Sequence, residues 1–315
     1  MSYSDDRRLL TEMASMYYEE GAKQSEVAKR FNISRSLVSK YLAKARGLGL
    51  VEIIIHDDMA HPYRGLEEKI AEKFKLQEVI CIAPTGVEML SKRIGITAAK
   101  YLARILQPNQ TVGVSAGTVV HEAAMNFSPK SQLESVKFVP LVGGLGQQHM
   151  ALQANVVCEL FAKKCDGIAV ELHAPITVDS AEAKQVFMEQ SFIKQVFEEA
   201  KEVDVALVGI GGLPAYSTMT KTYLLADSDQ LQIELSDRKV AGDICYNFID
   251  ESGNLAACTW NNRVLALDLK ELKKIPIRIG VSGGKEKIGG IQAALKGGLV
   301  NVLITDEETA KTLLK

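Results

Sequence analysis

Between Lys23 and Arg46 the chain carries seven basic residues and one acid, Glu26, a local charge of +6 on a protein whose total is −2. Cations gathered like this neutralise phosphates, which supplies most of the affinity of a nucleic-acid-binding module. A second set of chemically useful groups lies far downstream. Glycines and hydroxyls cluster in Val114-Ser-Ala-Gly-Thr118, and again, with two lysines, in Val281-Ser-Gly-Gly-Lys-Glu-Lys287. The amides of glycine turns, the hydroxyls of Ser115, Thr118 and Ser282, and the ammonium groups of Lys285 and Lys287 are donors that suit a phosphate. Asp243 stands in the otherwise apolar run Val240–Phe248. Its carboxylate could accept bonds from sugar hydroxyls, or equally cap a local turn. Gln153 and Asn155, after the Gly143-Gly144 pair, face the same choice.

The basic cluster needs a scaffold, and its own residues predict a helix-turn-helix. Ser25 is expected as an N-cap, with Val27, Ala28 and Phe31 then sharing one helical face. Asn32-Ile33-Ser34 reads as a short turn in which Asn32 takes a left-handed conformation and Ser34 caps the next helix. That helix, Arg35 to about Arg46, buries Leu37, Val38, Tyr41 and Leu42. An earlier helix, Asp5 to Glu20, repeats Leu9, Leu10, Met13, Met16 and Tyr17 at helical spacing. In such modules the start of the second helix enters the major groove of double-stranded DNA. Arg35, Ser36, Ser39 and Lys40 are thus expected at or near base edges, and Lys29, Arg30, Lys44 and Arg46 on phosphates, with Ser25 on the same side. An ordinary helical hairpin with a solvated basic face is the competing reading.

At 315 residues the chain suits a small domain joined to a larger one. We place the DNA-binding domain at 1–55, a linker at 56–62 and the larger domain at 63–315. Val51 to Ile55 reads as a short strand, which would make the helix-turn-helix a winged one. The next helix, Tyr63 to Lys75, has a stripe of Leu66, Ile70 and Phe74, suited to core packing or to a dimer seam. From Glu78 strands alternate with helices: Val79–Ile82, Thr111–Val114, Phe138–Leu141, Val203–Gly209, Arg278–Val281 and Val302–Thr305, with helices at Ser91–Leu106, Ala151–Lys164, Lys287–Leu295 and Glu307–Leu314. This alternation predicts an α/β fold, a doubly wound, Rossmann-like parallel sheet. A turn at Glu251–Asn254 suggests an inserted hairpin. Four glycine runs follow predicted strands (114–118, 141–146, 208–212 and 281–287), where an open sheet binds its ligands.

Other classes are set aside. There is no GxxxxGK[ST] and no GxGxxG opening the first strand-helix unit, which argues against nucleoside triphosphates and dinucleotides. The five cysteines form no CxxC and the five histidines no HxxxH, so neither metal nor cofactor is expected. No apolar run is long enough to span a membrane and the N-terminus is no secretory signal, which suggests the cytoplasm.

Across its length the chain resembles the SorC family of bacterial sugar-responsive regulators. The matching stretches are TEMASMYYEEGAKQSEVAKRFNISRSLVSKYLAKARGLGLVEI, VGVSAGT, FVPLVGG, DVALVGIG, VAGDICYNFID and VSGGKEKIGGIQAALKGGLVNVLITDEETAKTLL. The resemblance implies a homo-oligomeric, dimeric or tetrameric, repressor or activator of a carbohydrate operon. Its partners would be operator DNA and a sugar phosphate, or a free sugar or polyol. It also implies a C-terminal domain like those of sugar-phosphate isomerases and deaminases, without their activity. Carried over by motif, Gly117 and Thr118 fall in the first phosphate turn, Gln153 at the sugar, Asp243 at its hydroxyls, and Lys287 on the phosphate, with Ser282, Gly283 and Gly284 in the same turn. Members that sense a bisphosphorylated hexose have an arginine where this chain has Val142, which points to a single phosphate or none. An isomerase- or deaminase-like enzyme with an accessory helical domain is the rival from another class. No second acid-base partner for Asp243 stands out.

Overall fold

The computed structural model describes residues 6–51, 62–129, 133–146, 150–212 and 228–315. The chain divides into two units, Met1–His61 and Pro62–Lys315. The first holds α1 (Arg7–Tyr18), α2 (Gln24–Arg30) and α3 (Arg35–Gly47). Leu10, Met13 and Ala14 of α1 pack with Val27, Ala28, Val38, Tyr41, Leu42 and Ala45 of the other two. The turn between α2 and α3 follows the expected chemistry: Asn32 has φ +52° and the Ser34 hydroxyl accepts the Leu37 amide at 3.3 Å.

Ser25, by contrast, does not cap α2. That helix starts two residues earlier, at Gln24 with Lys23 in the cap position, and Ser25 is exposed in its first turn. The Glu26 carboxylate reaches back to accept the Lys23 amide at 2.8 Å, so a free helix-start donor is satisfied by the acid and not by a hydroxyl. Only Val51 of the expected strand 51–55 is described, and it is in no strand. The rest of that run, and the linker up to His61, lie outside the described residues.

In the second unit α4 (Arg64–Phe74) and β1 (Glu78–Ile82) are followed by α5 (Val87–Ile105), β2 (Thr111–Val114), α6 (Thr118–Asn126), β3 (Lys137–Pro140), α7 (Ala154–Lys163) and β4 (Ile168–Ala169). After α8 (Ala181–Glu189) and α9 (Ser191–Lys201) come β5 (Val205–Gly211), α10 (Ser228–Asp237), β6 (Val240–Ile244) and β7 (Asn247–Asp250). The chain ends with α11 (Leu269–Leu272), β8 (Ile277–Val281), α12 (Ile288–Lys296), β9 (Val302–Asp306) and α13 (Glu307–Leu314). The parallel strands lie in the order β1-β9-β8-β5-β2-β3-β4, and β6 and β7 form an antiparallel hairpin paired to the end of β5.

Both faces of the sheet are covered. Ile94, Leu102, Val120, Phe127 and Phe161 fill one side, where Phe138 stacks on Phe161 with ring centroids 5.2 Å apart. Ile70, Val196, Ile291 and Leu313 belong to the other. Leu66, Ile70 and Phe74 pack on this second core, Ile70 fully buried and the other two half-buried, as the core-packing reading of the α4 stripe expects. The β6–β7 hairpin turns at Cys245-Tyr246, both with positive φ, a pair with no turn preference of its own. The Glu251–Asn254 turn reverses the chain once more, bridging Ile249 to Leu255. No helix among the described residues is long and apolar enough to cross a membrane.

Candidate functional site

The smaller unit presents one basic helical face. Val38, Tyr41, Leu42 and Ala45 turn α3 inward, which leaves Arg35, Ser36, Ser39, Lys40 and Arg46 exposed, with Lys44 half-buried. Lys29 and Arg30 are exposed at the end of α2. Ala43 is exposed too, and continues the face of Ser36, Ser39 and Lys40 at helical spacing. Its small side chain gives no chemical signal in the sequence, which is why only the helix register identifies it.

In the larger unit the order of the sheet reverses between β2 and β5: β3 and β4 lie outward from β2, β8 and β9 outward from β5. Ligands of open sheets bind at the carboxyl ends of strands at such a point. There β2 passes through Gly117, at φ +126°, into Thr118 at the first position of α6. The Thr118 side chain is exposed and has no hydrogen-bond partner among the described residues. His121 is the first amide to bond back into the helix, to the Gly117 carbonyl at 2.9 Å, so the first-turn amides ahead of it are open to a ligand.

Strand β5 ties this turn to a carboxylate and a lysine. The Gly209 amide donates to Ser115 Oγ at 3.1 Å, and two residues on, Gly211 pairs with Asp243 of β6. Two strand residues advance about 6.6 Å, so the Gly117 turn and Asp243 are near neighbours. Gly211, Gly242 and Gly290 meet backbone to backbone, and a Cβ on either Gly242 or Gly290 would overlap the Gly211 carbonyl. This contact lets the start of α12 settle on the end of β5 and carries Lys287, its N-cap residue, toward the 8% exposed Asp243. Burial holds the Lys287 ammonium below the usual lysine range, against the opposing pull of Glu286 and Asp243. The ammonium has no hydrogen-bond or ion-pair partner among the described residues.

The remaining positions named from the sequence have partners within the fold. Ser115 takes the Gly209 amide, and the Ser282 hydroxyl donates to the Ile210 carbonyl at 2.7 Å. These hydroxyls stitch neighbouring strands. The Asn155 amide bonds both backbone groups of Leu172, at 3.1 and 3.0 Å. Gln153 stands beside the first turn, since the Leu152 carbonyl accepts the Gly117 amide, and its own Nε2 donates to Gly146. Gly283 packs on the Asp306 carboxylate, and the Gly284 amide is shared between Asp306 Oδ2 at 3.1 Å and Thr309 Oγ1 at 2.9 Å. The sequence reading passed over Asp306 and Thr309; Asp306 carries the signature of a helix cap, and only the tertiary structure adds the loop to its partners.

Two of the four glycine runs are not strand-to-helix turns. Val208–Gly212 mostly belongs to β5, while Leu141–Gly146 is bridged at Val142 to Ala266 and at Gly144 to Pro175. Glycine serves close backbone approach in both. Val142 is 1% exposed in the core. Among the described residues no group of three or more His, Cys, Asp or Glu could hold a metal ion.

Residues 61–315 match the family described as "Putative sugar-binding domain". The chain is 31% identical over 319 aligned positions to the sorbitol operon regulator of Klebsiella pneumoniae, with all of both chains covered. It is 29% identical over 318 positions to the deoxyribonucleoside regulator of Bacillus subtilis, covering 98% of each. Among solved structures, the full-length sorbitol operon regulator SorC from Klebsiella pneumoniae matches with a TM-score of 0.81 at 30% identity, over 99% of each chain.

Proposed function

Since the chain belongs to the SorC family of sugar-binding transcriptional regulators, we propose that the signal it reads is a sugar or sugar alcohol carrying one phosphate, bound at the carboxyl end of β5. The observation that carries this reading is the half-buried Lys287 ammonium, without a partner among the described residues and next to the Asp243 carboxylate. A cation removed from water needs an anion, and a phosphate would supply one. Asp243 would accept the sugar hydroxyls, Gln153 would line the sugar, and Thr118 with the first-turn amides of α6 would complete the polar wall. Val142 offers a second phosphate no charge, which supports a monophosphate.

The protein is a transcriptional regulator and not an enzyme: its relatives are regulators, among them a sorbitol operon regulator and a deoxyribonucleoside regulator. Arg35, Ser36, Ser39 and Lys40 would read base edges, while Lys29, Arg30, Lys44 and Arg46 would neutralise phosphates. Effector binding would act by favouring one of two arrangements, and operator would weaken effector by the same factor that effector weakens operator. We expect a homo-oligomer, dimer or tetramer, working in the cytoplasm, because paired half-sites suit a symmetric protein.

The test is the melting temperature of the full chain against sorbitol, deoxyribose, other sugars and polyols, and their monophosphates. A ligand at about 100 times its Kd adds about 2.7 kcal/mol of stability. A shift with one monophosphate, absent in Lys287→Ala, supports the reading. A shift with unphosphorylated sugars alone removes the phosphate role from Lys287, and no shift with any compound overturns the sensor.

A further inference from the structure

The hairpin that carries Asp243 has a strand on one side only. Strand β6 pairs with β5 and with β7, while among the described residues β7 pairs with β6 alone. Asp243 stands opposite Phe248 of β7, and the two strands join through Cys245-Tyr246, at φ +48° and +59°. A turn of this kind favours Asn-Gly, because side chains crowd at positive φ. Cys-Tyr has no such preference, so the hairpin owes its shape to what packs against it.

One short run, Thr259-Trp260-Asn261, does that packing. The Trp260 indole Nε1 donates to the Tyr246 carbonyl at 2.8 Å. The Asn261 side chain takes both backbone groups of Phe248, Oδ1 accepting the amide at 2.9 Å and Nδ2 donating to the carbonyl at 2.9 Å. A neighbouring strand would do the same for β7. Nδ2 also donates to the Ala256 carbonyl at 2.7 Å. Trp260 and Asn261 are 2% and 3% exposed, and the indole lies beside the Phe248 ring with centroids 6.1 Å apart. The run is itself tied down. Lys184 of α8 donates to the Asn261 carbonyl at 3.2 Å, and Glu234 of α10 accepts the Thr259 amide at 2.9 Å and its hydroxyl at 2.7 Å. Apolar side chains could fill this space; buried polar atoms with every partner in place fix one arrangement. What they fix here is register, and a slip of one residue would send the Asp243 side chain to the opposite face of the hairpin.

We propose that Trp260 and Asn261 are positioning residues of the effector site: their side chains stand where β7 has no neighbouring strand and hold Asp243 in the register that turns its carboxylate to the ligand. The inference rests on the reading of Asp243 as the acceptor of the sugar hydroxyls. Neither side chain needs to touch the ligand.

The experiment is calorimetric titration of the full chain, as wild type, Trp260→Phe and Asn261→Leu, with sorbitol 6-phosphate, deoxyribose 5-phosphate and inorganic phosphate. Trp260→Phe keeps a ring beside Phe248 and removes the Nε1 donor; Asn261→Leu fills similar space without polar atoms. Should Asn261→Leu not fold, Trp260→Phe carries the test. The sugar phosphate that binds the wild type should lose affinity about tenfold or more, the worth of a hydrogen bond to a charged group. Inorganic phosphate, which has no sugar hydroxyls for Asp243, should keep its affinity. In an Asp243→Ala background Trp260→Phe should cost nothing further, since the carboxylate it places is gone. A merely structural role predicts otherwise, and equal loss for both kinds of ligand, or full additivity with Asp243→Ala, overturns the proposal. If no probe binds the wild type, or Asp243→Ala costs nothing, the effector-site reading fails instead, and the ligand-free proteins judge the clamp. There hydrogen exchange of the 243–248 amides and labelling of the 3% exposed Cys245 thiol should quicken in both variants, with β2 and β8 unchanged. A hairpin that exchanges and labels as in the wild type overturns it.

Discussion

The carboxylate of Asp243 lies across the backbone of Gly211, where any β-carbon would overlap its Oδ1 atom. The two residues are paired across β5 and β6, so the acid is held by a strand on each side and not by a loop. Gly211→Ala should therefore push the carboxylate aside and open the glycine junction with α12. Overpacking of this kind costs about 1–3 kcal/mol. We expect a lower melting temperature and a lost effector-induced shift, with operator affinity of the ligand-free protein kept. A retained effector shift would mean that Asp243 need not hold this position.

Lys287 gives the site a pH signature. Burial lowers its pKa, and a bound phosphate, which prefers the charged lysine, would raise it again. Effector affinity should be full below the ligand-free pKa and fall as pH rises through it, beginning below the ordinary lysine value of about 10.4. Calorimetric titrations from neutral to alkaline pH measure this, with Lys287→Ala losing both the affinity and its pH dependence. An alkaline loss that persists in Lys287→Ala belongs to another group.

On the DNA-binding face two substitutions separate reading from holding. Arg35→Ala should weaken operator binding by roughly 1–3 kcal/mol more than binding to random DNA. Lys29→Ala should weaken both alike and flatten the salt dependence by about one unit of slope. Equal loss on both DNAs for Arg35→Ala would move it among the phosphate contacts.

Ser34→Ala tests the turn itself. Removing the hydroxyl that accepts the Leu37 amide should cost about 1 kcal/mol, seen as a lower melting temperature of the first unit. Ser25→Ala, which takes nothing from a helix cap, should leave it unchanged.

The cysteines should be silent in the native protein. Burial pushes the Cys81 and Cys245 thiols up to about 12, and Cys158 and Cys258 are buried as well. Thiolate is the reactive form, so a thiol reagent should label Cys165 first and slowly, and the rest only on unfolding. Rapid labelling of Cys245 would show that β6 opens.

The sequence alone determined whatever depends on local periodicity and local chemistry. Asn32 and Ser34 form the turn their side chains favour, and apolar runs alternating with amphipathic helices become a parallel sheet because each must bury its faces. That Asp243 and Lys287 come near one another was legible only through family resemblance, which put both at one ligand. The tertiary structure decided the rest, for reasons that spacing does not encode. Ser25 yields its cap role to Glu26, and Cys245-Tyr246 turns a hairpin that its residue types do not announce. Ser115 and Ser282, plausible phosphate donors by type, stitch strands, because a buried hydroxyl takes the nearest backbone group. Glycines look alike in a sequence. Whether one turns a strand into a helix at positive φ with open space beside it, as Gly117 does, or lets two backbones touch, as Gly211 does, depends on what the fold brings against it.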